Sequence, residues 1–79
     1  MPMKKGVNRD YKIRLLAIER MLRKDRYITA PEIISHLDLV YDIHVERKTV
    51  YNDLMAIDRF VPLEVKSGHN GGFRIMEVI

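Results

Sequence analysis

The side chains best suited to chemistry lie in Arg47-Lys48-Thr49-Val50-Tyr51-Asn52-Asp53-Leu54-Met55 and in the stretch from Lys66 to Arg74. Neither set joins a nucleophile to a base and an orienting group, so the chemistry they suit is recognition rather than bond making. Guanidinium, ammonium, hydroxyl and carboxamide groups donate to phosphate oxygens and to base edges; Lys or Arg suits guanine, and Asn can pair at two points with adenine. On a helical wheel Val50, Leu54 and Ile57, with Val61 just beyond, form a buried stripe, while Lys48, Asn52, Met55 and Arg59 fall opposite, flanked by Thr49 and Ala56. Glu46, Asp53 and Asp58 fall at the margins or on the core side, so the outward face holds no acid. Met55 on that face suits a thymine methyl, and Asp53, toward the core, is placed to pair with an arginine of the first helix.

Other chemistries find little support. The chain has no cysteine, which excludes disulfides, thiolate catalysis and cysteine-bearing zinc sites. His36, His44 and His69 share no metal-ligand spacing, and the glycine-rich stretch 67–72 lacks the Gly-Lys-Ser or Gly-Lys-Thr of a phosphate-binding loop. A domain of 79 residues hides only roughly 60% of the surface its unfolded chain exposes, leaving no room for a deep cleft beside a complete core. No catalytic residue, cofactor or metal is therefore expected. No apolar run reaches the roughly 18 residues of a membrane span, and the first residues lack the pattern of a secretory signal, so a cytoplasmic protein is expected.

The net charge of +3 is modest, but its distribution is polarised. Residues 1–26 carry nine basic side chains against three acidic ones, and residues 27–45 carry three acids and no Lys or Arg. A basic end of this kind is expected of a protein that touches a polyanion with one side.

The elements that must position these groups can be read from periodicity. A first helix is predicted over about residues 10–24, with Tyr11, Leu15, Ile18 and Leu22 on one side and Asp10 as N-cap or first-turn charge. Tyr27-Ile28-Thr29 reads as a very short strand. Thr29-Ala30-Pro31-Glu32 reads as a capping box that opens a second helix, burying Ile33, Ile34, Leu37, Val40 and Tyr41. Asp42-Ile43-His44 reads as a turn, and a third helix is predicted from about Glu46 to Phe60, ending before Pro62. Leu63, Val65, Phe73 and Ile75 then alternate with Glu64, Lys66 and Arg74, as in two half-buried strands. Asn70-Gly71 is the expected tight turn, because both residues tolerate positive φ.

Arg47 to Leu54, some fifteen residues after the Thr-Ala-Pro-Glu helix start and followed by Gly68-His69-Asn70-Gly71-Gly72-Phe73-Arg74-Ile75, resembles the winged helix-turn-helix domain of DeoR-type and WYL-type bacterial transcriptional regulators. The opening Arg14-Leu15-Leu16-Ala17-Ile18 is similar to that family's first helix, and the resemblance covers roughly residues 11–76. It implies an α+β fold in which the second helix braces the third, the third enters the major groove, and the hairpin is a wing on the backbone or minor groove. The chain departs from the pattern in having Glu46 where Ser or Thr usually caps the third helix and Asn52 where a basic residue is common. Between the second and third helices, Leu39 to His44 also lacks the usual glycine.

The expectation is thus a basic arm over residues 1–9, a winged helix-turn-helix over residues 10–76 and a short apolar tail over 77–79. The function expected is sequence-specific binding of double-stranded DNA in transcription regulation. Lys48, Thr49, Asn52 and Met55 would read bases, while Arg47, Tyr51, Arg59, Lys66, His69 and Arg74 would hold phosphates, with Asn70 beside them at the hairpin tip. One module buries only roughly 600 to 1,000 Å² on DNA, so a homodimer is expected at least on DNA, with a regulatory protein as a further class of partner. The competing expectation is a protein-interaction module without DNA binding, using the acidic second helix and the segment Met76 to Ile79.

Overall fold

The computed structural model describes the backbone of residues 5–76 and the side chains of residues 10–76; the rest of the expected arm and the tail over 77–79 lie outside the described residues. Three helices, α1 (Lys5–Leu22), α2 (Ala30–Tyr41) and α3 (Arg47–Phe60), are followed by an antiparallel hairpin of β1 (Leu63–Lys66) and β2 (Gly72–Ile75). This is an α+β layout compatible with a winged helix.

Helix α1 starts at Lys5, well before Asp10, so the backbone over residues 5–9 is helical and not an arm. Only Gly6 in that stretch disfavours a helix, and near the first turn its cost is small. Asp10 therefore sits inside the helix and caps nothing. Helix α2 starts where its sequence predicts. The Thr29 hydroxyl accepts from the Glu32 N–H at 3.3 Å, and the Glu32 carboxylate accepts from the Thr29 N–H at 3.0 Å.

The end of α2 replaces a glycine by an aspartate. Asp42 adopts the left-handed conformation, with φ 55° and ψ 38°. The Asp42 N–H bonds to the Asp38 carbonyl at 3.1 Å, the single bond of an αL closure, and the Ile43 N–H reaches back to the Leu37 carbonyl at 3.0 Å, with the Leu37 and Ile43 side chains both buried. Val40 and Tyr41 are exposed rather than buried, because they border an open groove between α1 and α2.

Ile18 and Leu22 of α1, Ile33 and Leu37 of α2, Val50, Leu54 and Ile57 of α3, and Ile28, Ile43 and Ile75 make one core. Each such side chain contributes roughly 1.5 to 3 kcal/mol when fully removed from water. The hairpin pairs Leu63 with Ile75, Glu64 with Arg74, Val65 with Phe73 and Lys66 with Gly72, the phase its alternation predicts, although Val65 stays largely exposed. Its tight turn is centred on His69-Asn70, one residue before the expected site: Gly71 N–H bonds to Gly68 C=O at 3.0 Å, and Asn70 has φ 61°. The expected short strand is a single bridge. Ile28 and Phe73 exchange two N–H···O=C bonds of 2.8 Å, tying the hairpin to the start of α2.

Candidate nucleic-acid interface

Helix α3 is anchored from its inner side. Asp53 is 2% exposed and accepts from Arg14 of α1 at both carboxylate oxygens, from Nε and, at 3.1 Å, from Nη2. The carboxylate in turn raises the Arg14 pKa, chiefly through that hydrogen bond. A two-point pair of planar groups fixes orientation as well as distance. Asn52, the preceding residue, is turned outward and exposed, together with Lys48, Met55 and Arg59; Met55 is 69% exposed. Thr49 and Ala56 are half-buried at the edges of this face. The other acid of α3, Asp58, is turned to the α3–β1 connection, where it accepts from the Leu63 N–H at 2.9 Å.

The N-terminal end of α3 faces the hairpin. Glu46 stands at the N-cap but makes no side-chain capping bond. Arg47 and Tyr51 join Thr29, Pro31, Val65 and Gly72 in lining an open cleft of about 330 Å³ between the start of α2, the start of α3 and the hairpin. Tyr51 packs edge-on against Phe73 with ring centroids 5.9 Å apart, which holds one end of its ring while leaving it 41% exposed. Lys66, His69 and Asn70 are exposed on or near the hairpin tip.

Arg74 lies on the hairpin face opposite Phe73, the residue on which Tyr51 packs. Its Nε donates to Glu64 at 2.8 Å across the strand pair, and its guanidinium lies 4.7 Å from the centre of the Tyr27 ring. The contact holds the Glu64 carboxyl below its ordinary range. Lys66 Nζ also lies over Tyr27, at 5.6 Å, so Glu64, Lys66 and Arg74 share the hairpin face opposite Val65 and Phe73. Arg59 lies exposed in the last turn of α3.

The basic first third is partly neutralised. Arg14 is paired with Asp53, Arg23 with Glu19 at 2.8 Å, and Arg26 with Glu32 at 2.8 Å. Arg20 and Lys24 line a groove between α1 and α2 and do not join the outward face of α3.

One cluster escapes a search by histidine spacing. His44 Nδ1 lies 2.7 Å from Asp38 and its Nε2 lies 3.1 Å from Asp42, and the three groups all fall within 4.8 Å of one another. They are exposed and satisfy each other across the α2 turn, so the cluster explains the turn without a metal. Among the described residues, no helix is long and apolar enough to cross a membrane. Comparisons of the chain with protein families, with curated proteins and with solved structures find no match.

Proposed function

We propose that the protein binds double-stranded DNA in a sequence-dependent way, with α3 in the major groove and the hairpin against the adjacent backbone, and that it regulates transcription. The observation that carries this reading is the outward face of α3. Lys48, Asn52, Met55 and Arg59 are exposed together, while Asp53 is buried under Arg14 and Asp58 is held by the Leu63 N–H. A face with donors, a methyl-seeking thioether and no carboxylate matches what phosphates and base edges offer. At the start of α3, backbone N–H groups and the positive end of the helix dipole suit a phosphate beside Arg47, while the exposed carboxylate of Glu46 at the N-cap works against it.

Asn52 and Lys48 are the base readers in this reading, Met55 packs on a thymine methyl, and Arg47, Tyr51, Lys66 and His69 hold phosphates. Arg74 takes a lesser part than its sequence position suggests, because Glu64 engages it. A second copy on a repeated or palindromic site supplies the contact area that one module lacks.

Titration of fluorescent random-sequence duplex DNA at two salt concentrations tests the reading. Affinity should fall with salt by a slope of roughly 0.9 per phosphate contacted. Absence of binding at low salt would overturn it. Selection of bound sequences from random duplexes should then return a motif whose repeat gives the half-site spacing.

A further inference from the structure

The groove between α1 and α2 has a composition that DNA reading does not use. Its floor is apolar: Ala17 and Met21 of α1 are buried against it, and Val40 and Tyr41 of α2 border it while 58% and 37% exposed. Its rim carries Arg20 near the end of α1 and Lys24 in the bend just after that helix, both exposed. His36 closes the α2 side, its ring edge-on to Tyr41 at 5.9 Å. Among the described residues no acid lines this groove of about 270 Å³, whereas Glu19 and Arg23 pair with each other elsewhere on α1. None of its residues belongs to α3 or the hairpin.

We infer that the α1–α2 groove docks an acidic, amphipathic segment of a partner protein. Arg20 and Lys24 line the same groove and offer two cations to the carboxylates of such a segment. Beside them, Met21, Val40 and Tyr41 offer apolar contact to the stripe that flanks such carboxylates, with an adaptable thioether in the floor. Two cations beside so much apolar surface suit an acidic helix better than a nucleic-acid backbone, whose binding gains chiefly from many cations in a row. Because the groove and the α3 face share no residue, the partner can be held while α3 is engaged; the groove itself does not depend on the DNA reading.

The test is selection of a display library of random 16-residue peptides against the full chain, followed by NMR mapping of the enriched peptides. Enriched sequences should combine two or more acids with an apolar stripe. They should shift the resonances of Arg20, Met21, Lys24, His36 and Val40 and leave Asn52 and Met55 unmoved. Arg20→Glu combined with Lys24→Glu should weaken those peptides about tenfold or more, with the melting temperature essentially unchanged because both side chains are exposed. Val40→Asp should weaken them too. The inference is overturned if selection yields no acidic, apolar sequences, or if the peptides map to α3 or bind the charge-reversed variant equally well. It is also overturned if duplex DNA or a second copy of the chain, and not peptide, shifts the groove resonances.

Discussion

Asp53 of α3 and Arg14 of α1 form a two-point ion pair in which the carboxylate is almost wholly buried. It lies one residue from Asn52, so the pair fixes how α3 is rolled about its own axis and therefore which side chains point outward. Removing one partner leaves the other desolvated and unpaired. Arg14→Ala should destabilise the fold by about 3 to 5 kcal/mol, a large part of the stability of so small a domain. Replacing both residues together, Arg14→Met with Asp53→Leu, should recover most of that loss; urea unfolding followed by circular dichroism measures both.

Acid should weaken the start of α2. The Thr29 N–H, aided by Arg26, holds the Glu32 carboxyl below its ordinary value of 4.5. A carboxyl whose pKa is lower folded than unfolded stabilises the fold above its unfolded pKa, and that contribution disappears as pH falls through the folded value. Melting temperature should therefore decline from about pH 5 downward, and Glu32→Gln should flatten part of that decline. Thr29→Ala should cost about 1 kcal/mol at neutral pH by removing the hydroxyl that accepts from Glu32 N–H.

Gly72 stands where a side chain has no room. Its φ is +146°, and a Cβ there would lie 2.6 Å from the Ile28 carbonyl oxygen. Gly72→Ala should destabilise by about 1 to 3 kcal/mol and loosen the hairpin from the body. Thermal unfolding gives the size of the loss, and disappearance of the Ile28–Phe73 nuclear Overhauser contacts would locate it.

Asp42 holds a left-handed conformation that glycine adopts more easily. Asp42→Gly should therefore raise stability by about 0.5 to 1 kcal/mol, and Asp42→Val should lower it, in the same unfolding assay. A loss on Asp42→Gly would mean that the Asp42 side chain, through His44, outweighs the backbone cost.

On DNA, Asn52→Ala should flatten preference at one base position, worth about 1 to 3 kcal/mol, while binding to unrelated sequences stays near its original strength. Arg47→Ala should weaken all sequences alike and reduce the salt slope by about 1. Equal loss across every sequence for Asn52→Ala would remove it from the base-reading set.

Much of the fold was legible because the signals are local. The Thr29–Glu32 capping box spans four residues, and the strand phase of Leu63, Val65, Phe73 and Ile75 follows from alternation alone. Asp53 also declared its inward direction by its place on the wheel. What stayed hidden depends on partners distant in sequence or on unusual backbone. The Asp42 turn contains no glycine to announce it, and the exposure of Val40 and Tyr41 depends on the open groove between α1 and α2. The engagement of Arg74 follows from its register opposite Glu64, which alternation does not specify. Charge counting likewise missed that Arg23 and Arg26 are each met by an acid, whereas the pairing of Asp53 with a first-helix arginine, Arg14, was expected from the wheel.

The paired bonds between Ile28 and Phe73 give the hairpin a timekeeper. Each residue's amide proton is held by the other's carbonyl, so each exchanges with solvent when its own bond opens, and lifting the hairpin from the body opens both. Their two amides should therefore exchange with deuterium at matched, slow rates set by the lifting of the hairpin from the body, while the amides of the tip exchange freely.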